Sequence, residues 1–288
     1  MKQISLRDNV LKLSTMVATT ILILVGVCTV TVKADSINET EPNDTVATAQ
    51  LISANSETPA GAVNGTFTGR HTINGNTSNT DVDCFEVYLY SGTNYLTLNA
   101  DSSGDSLNYI VQDQNGIVID SGTYVKAEYG PVAVSLDITS SGYYYVILNG
   151  NSTSSKGYLF SIGTPTYNIY HVTIACTEGT INMVSGGGNQ TGNFNGLSVT
   201  NIPNDAIAYS VILQNVGSID AKSVQLTNNN TNTTINLNKY TWDKSGLVNL
   251  NLPVASGWTA EFGYYRVCSF TPSLRVNYVY PVIDGWMN

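Results

Sequence analysis

Acidic side chains in two separate segments have the spacing of a cation site. Pro42 holds the residue before it in an extended conformation, so alternate side chains of the first segment point in one direction. An Asp-Val-Asp run about forty residues later repeats this arrangement in front of a strand-like sequence. Carboxylate and amide oxygens suit hard cations, and Ca²⁺ takes about 6–8 of them. The candidate ligands are Glu39, Glu41, Asn43, Asp44, Asp81 and Asp83.

The same residues also have a simpler interpretation. The acids can be solvated, and Asn43 or Asp44 can cap a short helical turn from Thr45 to Gln50. Spacing alone leaves both interpretations open.

Three motifs resemble those of the bacterial pre-peptidase C-terminal domain, a family that includes the collagen-binding domains of clostridial collagenases. They are Glu-x-Glu-Pro-Asn-Asp-x-x-x-x-Ala at 39–49, Asn-Thr-Asp-Val-Asp-x-Phe at 79–85, and Gly-Tyr-Tyr-Tyr-Val at 142–146. The resemblance covers about residues 36–164. It implies that the six residues named above bind calcium and that aromatic residues on one sheet face bind a ligand. Cys84 departs from the pattern, which usually has Tyr there, and we expect no catalytic domain in front of the motifs, where the family usually has one.

The N-terminal residues have the order of a secretory signal. Basic residues come first, an apolar run from Met16 to Val32 follows, and a small residue, Ala34, precedes Asp35. We therefore expect residues 1–34 to be removed and the mature protein to be secreted, extracellular or associated with the cell surface, without a membrane span. An uncleaved N-terminal anchor is the alternative.

The charge of the chain excludes some partners. Without residues 1–34 the net charge is −12, of which about −11 falls in residues 35–165. Binding to nucleic acid or an anionic membrane needs clustered Lys and Arg, so neither is an expected partner. The acidic first half fits a domain that binds cations.

Short alternating runs separated by turn residues predict an all-β fold with two antiparallel β-sandwich domains, of jelly-roll or immunoglobulin-like type. The first domain covers residues 35–165, where Asn115-Gly116 predicts a hairpin. The second covers residues 166–288 and resembles no family. Its predicted strands are 169–176, 208–214, 223–227, 247–252, 261–270 and 274–282.

Three cysteines remain after residue 34, an odd number for an oxidising compartment. Cys176 is in phase with the inward residues of its strand, and Cys268 lies in another strand of the same half. These features favour a Cys176–Cys268 disulfide with Cys84 unpaired. Buried reduced thiols are the alternative.

The sequence favours binding over catalysis. The chain has two histidines, His71 and His171, and its second half has no paired acidic motif. The leading hypothesis is a non-catalytic binding protein that is stabilised by calcium and engages extracellular matrix, a polysaccharide or a partner protein. A hydrolase or peptidase-associated protein, active in residues 166–288, is the alternative. The candidate ligand-binding aromatics are Tyr143, Tyr145, Trp242 and Trp258, for which core packing is the competing role.

Overall fold

The structure is a computed structural model that describes residues 35–102, 104–126, 131–184, 188–195, 202–216, 221–264 and 267–283. The predicted signal sequence lies outside the described residues. Strands make up nearly all of the regular structure, and most of them pair in antiparallel fashion. The prediction of an all-β fold built from antiparallel sheets is therefore confirmed.

Ten strands form two five-stranded sheets in the first part of the chain. The first sheet has the order β1-β3-β10-β5-β8, and the second has the order β2-β4-β9-β6-β7. The strands are β1 (Asp35–Asn38), β2 (Gln50–Ile52), β3 (His71–Thr77), β4 (Val82–Leu89), β5 (Gly92–Ala100), β6 (Ser106–Asp113), β7 (Val118–Val125), β8 (Val132–Ile138), β9 (Gly142–Gly150) and β10 (Lys156–Gly163).

The two sheets enclose one core because alternate residues of each strand face inward. Phe85 of β4 and Phe160 of β10 meet edge to face across it, with their ring centroids 5.0 Å apart. Burial of each such side chain stabilises the fold by roughly 1.5–3 kcal/mol. The predicted hairpin at Asn115-Gly116 joins β6 to β7, and Gly116 has the positive φ of 78° that this turn requires.

The acidic N-terminal segment contributes two parallel strands to these sheets. β1 pairs in parallel with β3 at the edge of the first sheet, and β2 pairs in parallel with β4 at the edge of the second. The chain between β1 and β2 therefore passes from one sheet to the other, and it carries the first group of predicted ligands.

Ten further strands follow, all in antiparallel pairs. Two four-stranded sheets have the orders β11-β20-β14-β17 and β13-β18-β15-β16, and β12 pairs with β19. The strands are β11 (Tyr167–Ala175), β12 (Ile181–Met183), β13 (Gln190–Phe194), β14 (Ile207–Gln214), β15 (Ala221–Asn228), β16 (Thr233–Asn236), β17 (Asp243–Ser245), β18 (Trp258–Tyr264), β19 (Cys268–Phe270) and β20 (Ser273–Pro281). Their inward residues form a second buried cluster.

The described residues contain three short helical segments. The α-helix α1 (Pro59–Val63) begins where the Thr58 hydroxyl accepts a hydrogen bond from the Gly61 N–H at 3.1 Å. A 3₁₀ turn at Val46–Thr48 begins at Thr45, so the interpretation of Asn43 or Asp44 as its cap is wrong. The predicted strand over residues 247–252 is also wrong, since Val248–Leu250 forms a 3₁₀ turn.

Helix α1 packs against residues that come much later in the chain. Ala62 of α1 is buried with Val248 and Val279. Near it, Arg70 forms a salt bridge to Glu57 at 2.8 Å and donates a hydrogen bond to the Tyr167 carbonyl at 2.7 Å. Among the described residues, no helix is long and apolar enough to cross a membrane.

The predicted Cys176–Cys268 disulfide is wrong, because Cys84, Cys176 and Cys268 all carry free thiols. The Cys176 thiol donates instead to the Glu178 carboxylate at 3.2 Å. Cys268 lies on β19, where it pairs with Met183. Burial and the Glu178 carboxylate raise the pKa of Cys176 to about 11, which keeps this thiol protonated.

Candidate metal centre

Backbone pairing brings the two acidic segments together. The Glu39 N–H donates to the Asn74 carbonyl at 2.8 Å, which continues the pairing of β1 with β3 by one residue. Four residues later, the Asn43 carbonyl accepts a hydrogen bond from the Cys84 N–H at 2.9 Å. Residues 39–44 are thereby fixed beside the beginning of β4, where Asp83 lies.

The carboxylates form two overlapping groups of three, and Glu41 belongs to both. One oxygen each from Glu39, Glu41 and Asp83 lie within 4.8 Å of one another, and the same holds for Glu41, Asp44 and Asp81. We call these five carboxylates, together with Asn43, the acidic centre. Like charges this close repel unless protons or a cation neutralise them.

Asp83 is the most constrained residue of the acidic centre. Its side chain is fully buried, and neither carboxylate oxygen makes a hydrogen bond of ordinary geometry, although the Tyr158 hydroxyl and the Glu39 carboxyl lie close enough to shift its pKa. Burial, followed by the neighbouring Glu39 carboxyl and the charge of Asp81, raises the pKa of Asp83. A buried carboxylate without a donor costs several kcal/mol by order of magnitude, so a compensating group is expected here.

Asn43 supplies a second unpaired oxygen. The residue is fully buried, its backbone N–H donates to Glu41 Oε2 at 2.9 Å, and its Nδ2 donates to Glu39 Oε1 at 3.3 Å. Its Oδ1 has no hydrogen-bond partner. Both amide donors thus orient carboxylates, while the amide oxygen remains available as a ligand.

Tyr158 and Gly75 position Glu39. The Tyr158 hydroxyl donates to Glu39 Oε1 at 3.0 Å, and the Asn76 N–H donates to Glu39 Oε2 at 3.0 Å. Gly75 lies opposite Tyr158 in the sheet, and a methyl group added there would lie 2.7 Å from Glu39 Oε2. The absence of a side chain at residue 75 therefore permits the close packing of Glu39 on Tyr158.

The donor set of the acidic centre consists of oxygen atoms. Among the described residues, both groups that could hold a metal are made of carboxylates, without His or Cys. Cys84 adjoins Asp83, but burial and the Asp83 charge raise the pKa of Cys84 to about 11, so its thiol is a poor ligand. Such a set suits a hard cation and not Zn²⁺ or Cu²⁺.

The predicted aromatic residues have different environments. Tyr143 is 40% exposed on β9, and its ring meets that of Tyr88, also 40% exposed, with centroids 5.3 Å apart. Tyr90 is 72% exposed and contacts Tyr88 at the same distance. We call Tyr88, Tyr90 and Tyr143 the tyrosine face. Tyr145 is half-buried, and its hydroxyl donates to Glu86 at 3.1 Å.

The two predicted tryptophans do not form a binding surface. Trp258 is fully buried in the second core, so its prediction as a ligand-binding residue is wrong. Trp242 is half-buried and packs against the same core. Sequence reasoning missed Tyr88 and Tyr90, although alternation in β4 places residue 88 on the outer side of the sheet and pairing places it opposite Tyr143.

No family model matches the chain, and no curated protein matches it at a significant level. Among solved structures, the chain is similar to a candidate secreted protein from Eubacterium rectale, with 12% identity, 86% coverage of both chains and a TM-score of 0.48. It is also similar to the pre-peptidase C-terminal domain of a collagenase from Bacillus anthracis, with 14% identity and a TM-score of 0.29. That match covers 43% of this chain and 99% of the other. Likenesses this distant carry no argument about function.

Proposed function

We propose that the protein is a secreted, non-catalytic binding protein in which calcium occupies the acidic centre and the tyrosine face engages an extracellular protein. Calcium joins residues 39–44 to the beginning of β4, and in this way it fixes the N-terminal segment across the edges of both sheets.

The observation that carries this proposal is the environment of Asp83. A fully buried carboxylate that makes no hydrogen bond of ordinary geometry lies among other carboxylates, beside the unpaired amide oxygen of Asn43. A divalent cation would supply the missing positive charge and accept both kinds of oxygen as ligands.

Calcium fits this donor set better than magnesium. Ca²⁺ accepts irregular geometry with about 6–8 oxygens, whereas Mg²⁺ requires a near-octahedral arrangement and retains water. The acidic centre offers five carboxylates and an amide, which come from residues 39–44 and from Asp81 and Asp83 at the beginning of β4. Nothing in this arrangement of the backbone requires octahedral geometry.

The tyrosine face supports the second part of the proposal. The Tyr88 ring contacts the rings of Tyr90 and Tyr143 on the outer side of the second sheet. Leu51 of the edge strand β2 and Ile110 of β6 are exposed on that sheet as well. Rigid aromatic rings beside aliphatic side chains give a large contact area at low entropic cost, as in protein-recognition surfaces.

Calcium titration followed by thermal unfolding tests the metal site. Because calcium binds the native state, a free concentration a hundredfold above Kd stabilises it by about 2.7 kcal/mol. We expect the Tm to rise by about 5–10 °C relative to protein in EGTA. Magnesium at the same concentration is the control, and it should give a smaller rise.

The Asp83→Asn variant separates metal binding from folding. It keeps the shape of the side chain and removes its charge, so the calcium-free variant should be as stable as the wild type or more so. Its Tm should no longer respond to calcium. A full calcium response in this variant, or an unchanged Tm for the wild-type protein, would rule out the metal site.

Binding to collagen-coated and fibronectin-coated surfaces tests the tyrosine face. The double variant Tyr88→Ala/Tyr143→Ala should lose binding while its Tm changes little, because both rings are partly exposed. Tyr240→Ala is the matched control, since Tyr240 is exposed elsewhere. If the double variant binds as well as the wild type, the tyrosine face is not the recognition surface.

A further inference from the structure

The outer face of the first sheet is polar along three adjacent strands. Pairing places Leu159 of β10 between Asn74 of β3 and Asn99 of β5, and it places Ser161 opposite Thr97. These side chains point away from the core that the two sheets share. This face lies on the opposite side of the sandwich from the tyrosine face.

Two cavities lie on this outer face, and Leu159 lines both. One cavity has a volume of about 170 Å³ and the other of about 420 Å³. Leu159 lies between the two cavities, and we call the pair of cavities the polar groove. Its principal polar residues are Thr72, Asn74, Asn76, Thr97, Asn99, Asp101, Ser161 and Thr166.

The floor of the polar groove contains buried polar groups. Thr97 and Ser161 are 7% and 5% exposed, although both lie on the outer side of a sheet. The Asn99 side-chain oxygen is buried and has no hydrogen-bond partner. Buried polar atoms in folded proteins are nearly always paired, and no donor among the described residues reaches this oxygen, so it is open to a hydroxyl group of a ligand.

The charges around the polar groove disfavour an anion. At one end, the guanidinium of Arg70 is neutralised by Glu57. At the other end, the cavity is lined by Asp101, Glu39 and Glu41. An anionic ligand would meet the Asp101 carboxylate, which lies outside the acidic centre, whereas a neutral ligand rich in hydroxyl groups could donate to the amide and carboxylate oxygens.

We propose that the polar groove binds a neutral oligosaccharide. A sugar hydroxyl would donate to Asn99 Oδ1, and the apolar side of a sugar ring would pack on Leu159. The two adjoining cavities would accommodate more than one sugar unit. An extended peptide fits less well, because peptides that pair with a sheet add to its edge, whereas this groove crosses the face of three paired strands.

Calorimetric titration with defined oligosaccharides tests this site. The neutral probes are the tetrasaccharides of cellulose, starch and chitin, and the anionic probe is the tetrasaccharide of polygalacturonate, all with calcium present. We expect at least one neutral probe to bind and the anionic probe to bind more weakly or not at all. Failure of every neutral probe at millimolar concentration, or equal affinity for the anionic probe, would overturn the proposal.

The Asn99→Leu variant shows whether binding uses the groove. Loss of one hydrogen bond should weaken the oligosaccharide affinity by about 3- to 10-fold. The Tm should not fall, because the substitution removes a buried acceptor that has no partner in the protein. If Asn99→Leu folds poorly, Ser161→Ala provides a second test with little change in volume, and wild-type affinity in both variants would contradict the proposal.

The Tyr143→Ala variant distinguishes this inference from the proposed function. It alters the tyrosine face on the opposite sheet, so it should bind the oligosaccharide with wild-type affinity. A parallel loss of oligosaccharide binding in Tyr143→Ala would place the sugar on the tyrosine face and would overturn the assignment to the polar groove.

Discussion

Two buried carboxylates of this protein have opposite surroundings. Glu57 receives two hydrogen bonds from the Arg70 guanidinium, at 2.8 and 2.9 Å, and a third from the Tyr167 N–H at 3.3 Å. Asp83 is equally buried, makes no hydrogen bond of ordinary geometry and lies among carboxylates. The chain therefore neutralises one buried charge with its own residues, and in our proposal calcium neutralises the other.

The two sites also connect different parts of the chain. The Glu57–Arg70 pair ties the segment around α1 to the first residue of β11, and this tie requires only the protein itself. The acidic centre ties residues 39–44 to β4, and in our proposal this second tie depends on calcium. The contribution of the Glu57–Arg70 pair to the free energy of unfolding should be independent of calcium. The contribution of the acidic centre should increase with the calcium concentration.

The largest expected effect comes from breaking the internal pair. Arg70→Met removes the partner of Glu57 and leaves a buried carboxylate uncompensated, which should destabilise the protein by about 3–5 kcal/mol. Urea unfolding with calcium and with EGTA measures the loss, which should be the same in both. In the double variant Glu57→Gln/Arg70→Met the loss should be smaller, because no buried charge remains. A loss that depends on calcium would contradict the independence of the two sites.

A smaller effect is expected from crowding the acidic centre. In Gly75→Ala the new methyl group would collide with Tyr158 and Glu39, and overpacking of this kind costs about 1–3 kcal/mol. Because Glu39 is displaced, calcium affinity should fall as well. Gly142→Ala is the control, since its methyl group would meet no atom within 4 Å. Equal calcium affinity in Gly75→Ala and the wild type would show that Glu39 is not a ligand.

The sequence predicted the all-β fold well because that fold depends on local rules. Alternation in β4 and β9 identifies inward residues directly, and the Asn115-Gly116 turn specifies its hairpin. Proximity of residues 39–44 to Asp83 was harder to predict. It arises from the parallel pairing of β1 with β3 and β2 with β4, which no local pattern indicates.

Other features depend on long-range packing and were missed or wrong. The predicted role of Trp258 failed because burial is decided by the opposing sheet, which residue type does not reveal. The Cys176–Cys268 disulfide prediction failed because Cys176 follows the end of β11 and Cys268 lies on β19, and the fold does not bring the two thiols into a bond. The Glu57–Arg70–Tyr167 contact joins residues up to 110 positions apart, and single-sequence patterns carry no signal for it.

The pH dependence of stability gives the finest comparison of the two carboxylates. Burial raises the pKa of Asp83 above its ordinary 3.8 and that of Glu57 above its ordinary 4.5. Between the ordinary value and the raised value, the folded state holds a proton that the unfolded state has released. Calcium-free protein should therefore lose stability as pH rises through this window, by at most about 1.4 kcal/mol per pH unit for each carboxyl.

Calcium binds the deprotonated form of Asp83, so saturating calcium should remove the contribution of Asp83 to the slope of unfolding free energy against pH. The contribution of Glu57 to that slope should remain. Urea unfolding from about pH 5 to about pH 7, with calcium and with EGTA, measures the difference between the two slopes. In Asp83→Asn the slopes should coincide, since the titrating group is absent. Identical slopes for the wild-type protein in calcium and EGTA would mean that Asp83 does not exchange its proton for a cation. The difference between Asp83 and Glu57 would then give no support to a calcium site.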